Sequence, residues 1–304
     1  MATGYNYEDY MLITGTNKKD YIYNSGNYCD IAARGGNDSI DNYNGDYASI
    51  NGGSGNDSIY AYDNDQATIL GGSGKDTIRG SYYSSKIYGG SGNDYMYITG
   101  SYLSNTVDGG SGNDVVFAYG GTLKGGDGND LVMVDYYSYY EESVLTGGNG
   151  KDTLWGGYGN DTLSGGAGKD VFIFADGDGN DVIKDYQAGK DSISFRDSYG
   201  YALDASYIYY EYSGKDVILS SNSGSLTIKK GKGKTIKING SNYSFNSAAS
   251  KSGVAALLTE NNFTTSDNLS AIVKSDLLPS DYKIETETFD TLTQKDGAIT
   301  FAAK

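Results

Sequence analysis

The chain has no histidine, one cysteine, one proline and one tryptophan in 304 residues. Without histidine it can form neither an HExxH zinc site nor a Ser-His-Asp triad, and it contains no GxSxG motif. The single Cys29 excludes an internal disulfide framework. No apolar run approaches the ~18 residues of a membrane helix, and the N-terminal segment lacks the basic start and long apolar stretch of a signal peptide. These absences argue against the common hydrolase, disulfide-rich and membrane-spanning classes.

Glycine and tyrosine are abundant instead, with 45 and 31 copies. The 39 acidic residues outnumber the 23 basic ones and give a net charge of −16. Such a charge disfavours nucleic acids and attracts cations, of which a metal ion is the simplest. Because the chain lacks histidine and the GxSxG motif, no enzymatic activity is predicted. A carboxylate-only site that acts on glycans stays open as an alternative.

A six-residue pattern recurs along the chain, as GGSGND from Gly52 and as GGSGKD from Gly71. The aspartates that end the copies follow one another at intervals of 16 to 22 residues. This series comprises Asp20, Asp38, Asp57, Asp76, Asp94, Asp114, Asp130, Asp152 and Asp170. Two further copies, which end at Asp161 and Asp181, are out of phase with it by about half a period. Self-similarity at such a period indicates a repeat architecture.

An apolar residue follows each of these aspartates two positions later. The set comprises Ile22, Ile40, Ile59, Ile78, Met96, Val116, Val132, Leu154, Leu163, Phe172 and Ile183. The flanking residues alternate, as in SIYAY at 58–62, with the period of a short strand that has one buried face. Strand, glycine turn, strand and turn, with each coil stacked on the last, predict an all-β parallel solenoid.

These turns resemble the GGxGxDxUx nonapeptide of the RTX family, in which U is a large apolar residue, over roughly residues 14–195. The resemblance implies a calcium-binding parallel β-roll that seats each ion between turns stacked one coil apart. Calcium takes about 6 to 8 oxygen ligands, and glycine lets a turn aim successive carbonyls at one point. The first two turns depart from the motif, because TGTNKKD has lysines and ARGGND has displaced glycines.

The resemblance assigns calcium to both series of turns. Seven intervals lie between Asp38 and Asp170, and the pair Asp161 and Asp181 adds one, which predicts about eight ions. The predicted metal-site residues are Asp38, Gly52, Gly53, Ser54, Gly55, Asp57, Gly71, Gly72, Ser73, Gly74, Asp76, Gly89, Gly90, Ser91, Gly92, Asp94, Gly109, Gly110, Ser111, Gly112, Asp114, Gly125, Gly126, Asp127, Gly128, Asp130, Gly147, Gly148, Asn149, Gly150, Asp152, Gly156, Gly157, Tyr158, Gly159, Asp161, Gly165, Gly166, Ala167, Gly168, Asp170 and Asp181.

The sequence divides into an N-terminal cap (1–13), the roll (14–195), a C-terminal β cap (196–245) and a tail (246–304). Within the tail, residues 247–263 and 266–278 have the polar starts and apolar spacing of short helices. RTX proteins are typically exported by a type I system that reads an uncleaved C-terminal segment. The resemblance therefore implies the type I secretion apparatus as a partner and a location outside the cell or on its surface.

The outward positions of the predicted strands form an aromatic stripe of Tyr97, Phe117, Met133 and Trp155. A stripe this apolar is unusual on the surface of a soluble monomer, so we expect it to be covered. The cover is either internal, from the tail after Phe195 or the insertion at 136–143, or a second copy of the chain.

Two functions remain after these exclusions. The first is a secreted, non-enzymatic calcium-binding protein of the cell surface or matrix, or an adhesive component. The second is a module of a larger toxin or enzyme whose folding and export are triggered by calcium. The lysine cluster at 229–237 has two interpretations as well, a site for an anionic polymer or a solvated turn.

Overall fold

The computed structural model describes residues 3–100, 105–135, 142–245, 252–253, 291–295 and 298–302. They form 29 strands and one 3-10 helix, Ala205–Tyr207. Most strands belong in alternation to two long sheets, which we call the front sheet and the back sheet. None of the described residues lies in a helix that is long and apolar enough to cross a membrane.

The front sheet has 13 strands that follow one another in chain order. They are β1 (Thr3–Asn6), β3 (Tyr21–Asn24), β5 (Ser39–Tyr43), β7 (Ser58–Asp65), β9 (Thr77–Tyr83), β11 (Tyr95–Thr99), β13 (Val115–Ala118), β15 (Leu131–Val134), β17 (Thr153–Trp155), β19 (Val171–Ala175), β21 (Ser192–Arg196), β25 (Thr235–Ile238) and β26 (Ser241–Ser244). The pairing is parallel through β25, and β26 is antiparallel to β25.

The back sheet has 14 strands. In spatial order they are β2 (Leu12–Thr14), β4 (Asp30–Ala32), β6 (Ser49–Ser54), β8 (Thr68–Ser73), β10 (Lys86–Ser91), β12 (Thr106–Ser111), β14 (Thr122–Asp127), β16 (Val144–Gly150), β18 (Thr162–Gly168), β20 (Gly179–Ile183), β24 (Gly224–Ile228), β23 (Asp216–Ser220), β22 (Tyr209–Ser213) and β27 (Ser252–Gly253). Pairing is parallel through β24 and antiparallel beyond it. Strands β28 (Thr291–Lys295) and β29 (Ala298–Ala302) form a separate antiparallel pair.

The core is a ladder of mainly aliphatic side chains that both sheets contribute along the stack. In the front sheet Ile40, Ile59 and Ile78 stand opposite one another in register, and the back sheet repeats this with Ile50 and Ile69. All five are at most 1% exposed. The prediction of an all-β parallel roll is confirmed, and the residues two positions after each turn aspartate are its inner face.

Two lines of turns join the sheets. Turns that lead from a back strand to the next front strand carry the aspartates of the longer series, and we call their line the aspartate edge. Turns that lead from a front strand to the next back strand form the opposite edge. Because β1 pairs in parallel with β3, and β2 with β4, the stack begins with a coil over residues 3–14, which covers most of the segment 1–13 predicted as a separate cap.

The C-terminal end of the stack is closed by a different kind of pairing. Strand β24 continues the back sheet, and β23 and β22 then fold against it as an antiparallel meander. The two predicted tail helices lie outside the described residues except at Ser252 and Gly253. There the helix prediction is wrong, because both residues form the strand β27 and pair with β22 through Tyr210 and Tyr209.

Candidate calcium sites

Glycine is required in the turns of the aspartate edge because the coils approach one another closely. In the turn that begins at Gly52, the glycines at the second and fourth positions, Gly53 and Gly55, have φ values of 103° and 122°. A Cβ on Gly55 would lie 1.6 Å from the carbonyl oxygen of Gly36 in the preceding coil, which no side chain permits. Only glycine combines this backbone with such an approach.

The first glycine of each turn borders a small oxygen-lined space. A Cβ on Gly52 would lie 2.6 Å from Oδ2 of Asp57 and 2.6 Å from the carbonyl oxygen of Gly71 in the next coil. On Gly89 it would meet Asp94 Oδ2 in the same way, at 2.6 Å. Thus one carboxylate oxygen and one carbonyl oxygen of adjacent coils converge beside the first glycine, and a methyl group would fill the gap.

The aspartates are linked from coil to coil by a ladder of hydrogen bonds. The backbone N–H of each aspartate donates to Oδ1 of the aspartate in the next coil, as Asp94 does to Asp114 at 2.7 Å and Asp114 to Asp130 at 2.8 Å. Oδ2 has no hydrogen-bond partner at any turn from Asp38 to Asp170. This set comprises Asp38, Asp57, Asp76, Asp94, Asp114, Asp130, Asp152 and Asp170, all at most 2% exposed. Eight buried carboxylate oxygens are therefore left for another ligand.

Both ends of the ladder are closed by protein donors. Oδ2 of Asp20 accepts hydrogen bonds from the backbone N–H and the hydroxyl of Thr16. At the other end Asp191, which the motif search missed, accepts the N–H of Asp170 at 3.1 Å through Oδ1 and that of Gln187 at 2.6 Å through Oδ2. The spacing of 21 residues from Asp170 could have found Asp191, although QAGKD lacks the paired glycines.

Burial raises the pKa of the carboxylates in the middle of the ladder. Desolvation is the main cause, and it raises the pKa of Asp76 to about 7 and that of Asp114 to about 8, while backbone N–H donors act in the lowering direction. Neighbouring aspartates add to the rise. Near neutral pH these groups are stable as anions only when a positive charge compensates them.

The opposite edge repeats this arrangement at two turns. The N–H of Ser143 donates to Oδ1 of Asp161 at 2.6 Å, and the N–H of Asp161 donates to Oδ1 of Asp181 at 2.9 Å. Oδ2 of both aspartates and the Ser143 hydroxyl are buried and have no hydrogen-bond partner. Desolvation raises the pKa of Asp161 to about 8 and that of Asp181 to about 9.

A family model for the RTX calcium-binding nonapeptide repeat matches the chain in four copies, over residues 49–65, 70–97, 99–132 and 146–183. The chain therefore carries RTX calcium-binding repeats over these segments. Its matched segments contain the turns from Asp57 to Asp181, where Oδ2 of the turn aspartates is buried without a partner. RTX repeats bind calcium, so the repeat assigns calcium to this roll.

Among solved structures, the chain is similar to the extracellular lipase LipA from Serratia marcescens, with 15% sequence identity and a TM-score of 0.23. The match covers 73% of this chain and 36% of the lipase, so the chain spans about a third of the lipase's length. A search of curated proteins found no match. At this identity and score, nothing about activity is transferred from the lipase.

The residues present fit calcium, a hard cation that prefers about 6 to 8 oxygen ligands. Among the described residues, no three acidic, histidine or cysteine side chains gather into one cluster. A calcium ion held here would take its oxygens from the aspartates of two stacked coils and from backbone carbonyls, such as that of Gly71 beside Asp57. The third residue of the turn contributes to coil stacking, since the carbonyl of Ser73 accepts the N–H of Gly55 at 2.8 Å.

Elsewhere, side chains of the chain itself link the coils of the opposite edge. The Asn6 amide donates to Asn24 at 2.6 Å, Asn24 donates to Asn42 at 2.5 Å, and Asn42 donates to Asn64. Asn24, Asn42 and Asn64 are completely buried. This asparagine ladder was not predicted. It joins the first four coils with amide hydrogen bonds, whereas the RTX turns are joined through aspartates.

The aromatic stripe predicted on the outer face of the front sheet is half-buried at Tyr97, Phe117, Met133 and Trp155. Trp155 Nε1 donates a hydrogen bond to Oδ2 of Asp178 at 2.9 Å, so part of its cover comes from the loop after β19. Neither predicted internal cover included that loop. Most of the insertion, residues 136–141, lies outside the described residues, and a second copy as cover remains a prediction.

Proposed function

We propose that this chain is a secreted, non-enzymatic calcium-binding protein that folds when it meets extracellular calcium, and that it serves as a structural component of a cell surface or matrix. The observation that carries the proposal is the row of eight buried Oδ2 atoms from Asp38 to Asp170. Eight stacked carboxylates define seven intervals, and Asp161 with Asp181 defines one more. About eight ions would then balance the net charge of −16.

Calcium-dependent folding follows from the cost of the ladder without metal. Carboxylates stacked about 4.8 Å apart repel by roughly 1 to 3 kcal/mol per neighbouring pair at effective dielectrics of about 80 to 20. The glycine-rich turns also lose much conformational entropy on folding. The thin aliphatic core has little surplus to offset both terms, so metal binding supplies folding free energy.

Circular dichroism in excess chelator should show a disordered chain. Addition of millimolar Ca²⁺ should produce a β spectrum, whereas Mg²⁺ should not, because Mg²⁺ requires stricter octahedral geometry and sheds water reluctantly. Equilibrium dialysis of the calcium-loaded chain should count about eight ions. A β spectrum in chelator would refute calcium-coupled folding, and a count near two would restrict binding to a few turns.

The absence of catalysis is supported by the lack of histidine and by the use of the buried carboxylates. The aspartates whose pKa burial raises lie chiefly in the turns of the two edges, where calcium binding explains why they are buried. A glycan-active site would need a pair of carboxyl groups about 5 to 9 Å apart beside an open cleft. Turnover of a polysaccharide by the calcium-loaded chain would overturn the non-enzymatic assignment.

A further inference from the structure

The opposite edge of the first four coils presents tyrosines and carboxylates without any basic residue. Its turns are residues 7–11, 25–30, 43–48 and 62–67, and we call this surface the tyrosine face. It contains Tyr7, Tyr10, Tyr28, Tyr43, Tyr47 and Tyr62 together with Glu8, Asp9, Asp30, Asp46, Asp63 and Asp65. No lysine or arginine occurs in these four segments. Calcium bound at the aspartate edge would lie on the other side of the roll and would not neutralise this surface.

Three of these tyrosines form a parallel stack. The ring centroids of Tyr10 and Tyr28 are 4.8 Å apart with planes inclined by 4°, and those of Tyr28 and Tyr47 are 4.6 Å apart with planes inclined by 5°. All three have positive φ, at 59°, 55° and 57°, a backbone region that costs energy for tyrosine and recurs at functional sites. Their exposures are 74%, 45% and 42%, so the rings are ordered but accessible.

Carboxylates run beside the stack. Asp9 Oδ1 accepts the N–H of Asn27 at 2.7 Å, and Asp46 Oδ1 accepts the N–H of Asp65 at 2.9 Å. The pKa of Tyr28 is raised, first by desolvation, then by the adjacent rings and by Asp46 and Asp9. Aromatic rings that carry nearby negative charge attract lysine and arginine side chains, through the ring quadrupole and through the Coulomb interaction.

The opposite end of the same chain supplies such cations. The turn between β24 and β25 reads KKGKGK at 229–234, and Lys230 and Lys232 in it are exposed. Lys232 Nζ already lies 4.9 Å from the ring centroid of Tyr212, which shows the preferred contact within the cap. From β23 to β26 the chain has five lysines and one acidic residue, Asp216, which pairs with Lys229 at 2.9 Å. We call residues 229–234 the lysine turn.

One molecule cannot bring the two surfaces together. Seven strand steps separate β8 from β24 in the back sheet, and at about 4.8 Å per step the surfaces lie roughly 34 Å apart. They also lie on different edges, since the lysine turn continues the aspartate edge. We propose that the lysine turn of one copy binds the tyrosine face of a second copy. The contact joins unlike surfaces, so it leaves one free surface at each end and extends head to tail.

Sedimentation velocity of the calcium-loaded full chain tests this contact. At low ionic strength the mean mass should exceed that of the monomer, and it should fall towards the monomer as the Debye length drops below about 10 Å above roughly 0.1 M salt. The double variant Lys230→Glu/Lys232→Glu should be monomeric at every salt concentration. The control Lys86→Glu/Lys184→Glu changes the net charge equally at other exposed lysines and should associate as the parent does.

A complementation experiment fixes the partners of the contact. The double variant Glu8→Lys/Asp30→Lys should also be monomeric, because its tyrosine face repels the lysine turn. A mixture of the two inactive double variants should regain association, since each retains one intact surface for the other. Tyr10→Ser should weaken association severalfold, whereas Tyr199→Ser, which removes an equally exposed ring near the cap, should not.

These results separate the inference from the proposed function, on which it rests only for the calcium-loaded fold. A monomeric parent at every salt concentration, a mixture that stays monomeric, or equal loss in the lysine controls would overturn the head-to-tail contact. Each variant is first checked for its calcium-induced β spectrum. Failure of the parent to gain that spectrum would refute calcium-coupled folding instead.

Discussion

The two edges of the roll join the same strands and solve the stacking of turns in different ways. On the aspartate edge, glycines bring backbones together and leave buried carboxylate oxygens without a partner, as at Asp94 and Asp114. On the opposite edge of the first four coils, Asn24 and Asn42 donate side-chain hydrogen bonds to the next coil, and no such oxygen is left over. Over these coils, the aspartate edge therefore leaves carboxylate oxygens for a metal ion, whereas the opposite edge satisfies its own hydrogen bonds.

The opposite edge changes from one solution to the other along its length. After the asparagine ladder, Ser85 Oγ accepts the N–H of Ala67 at 3.0 Å, and Asn105 Oδ1 accepts the N–H of Ser85 at 2.9 Å. The equivalent place is then taken by Asp161 and Asp181. At each of these turns a backbone N–H donates to a side-chain oxygen of the next coil, whether that side chain is serine, asparagine or aspartate. The stacking geometry is therefore the same, and only a charged acceptor needs a cation to compensate it.

The largest expected effect is the loss of an aspartate in the middle of the ladder. Asp114→Ala removes a carboxylate shared by two intervals, and we expect it to lower the free energy of unfolding at saturating calcium by about 3–5 kcal/mol, as the loss of one partner of a buried charge pair does. The count of bound ions should fall by about two. Calcium-dependent melts and equilibrium dialysis measure both quantities.

Asp20→Ala is the matched control for that variant. Asp20 occupies the same position in the first coil, but its Oδ2 is held by Thr16. Asp20→Ala should therefore lower the free energy of unfolding less than Asp114→Ala does, and it should leave the number of bound ions almost unchanged. Equal losses in the two variants would show that calcium binding extends to the first turn.

A slightly smaller loss of stability is expected when a methyl group is added at the fourth position of a turn, where the backbones of two coils are closest. A Cβ on Gly92 would lie 1.8 Å from the carbonyl oxygen of Gly74, and Gly92 has a φ of 123°. Gly92→Ala should cost about 2–4 kcal/mol from backbone strain and overpacking together. Gly200→Ala, where φ is 83° but no atom lies within 4 Å of the added Cβ, should cost only about 1–2 kcal/mol. If both variants lose the same stability, backbone strain at positive φ alone accounts for the need for glycine, and the close approach of the coils does not contribute.

The asparagine ladder should respond without any change in metal binding. Asn42→Ala leaves the buried Asn24 amide short of one acceptor and should cost about 1–3 kcal/mol at saturating calcium. The ion count should equal that of the parent, because no calcium turn is touched. A fall in bound calcium would mean that the two edges are coupled, and the comparison between them would need revision.

The sequence predicted the aspartate edge well because the physical demands on it are strict. A turn that needs positive φ, close backbone approach and a carboxylate accepts few residues, so GGxGxD recurs with little variation. The asparagine ladder is different, since any turn that projects one amide inward will serve, as at Asn42 and Asn64. Its turns accordingly vary in length and share no motif. Asp191 was not predicted because its turn, QAGKD, lacks the paired glycines of the motif. That turn can do without them, since the N–H of Gln187 donates to Asp191 Oδ2.

The first coil and the tyrosine stack show the same limit. Residues 3–14 lack the aspartate motif, so a cap was predicted where the chain forms a full coil. The stack of Tyr10 and Tyr28 depends on left-handed backbone at both residues, and tyrosine gives no sequence signal for that conformation. Which side chains stack on a solenoid depends on the register between neighbouring coils. Turns of variable length leave that register undetermined in the sequence, and the structure is needed to fix it.

The smallest expected effect concerns Trp155, the only tryptophan, which ends the front strand β17 just before the candidate calcium turn at residues 156–161. Its Nε1 hydrogen bond to Asp178 is internal to the chain, so calcium-induced folding should shift its emission to the blue, and dilution should not reverse the shift. Asp178→Asn should move the emission part of the way back to the red and cost about 1 kcal/mol. Asp176→Asn is a control at a carboxylate two residues away that binds Ser221 instead. Reversal of the blue shift on dilution of the parent would assign the cover to a second molecule, and the stripe would then join the tyrosine face as a contact between copies.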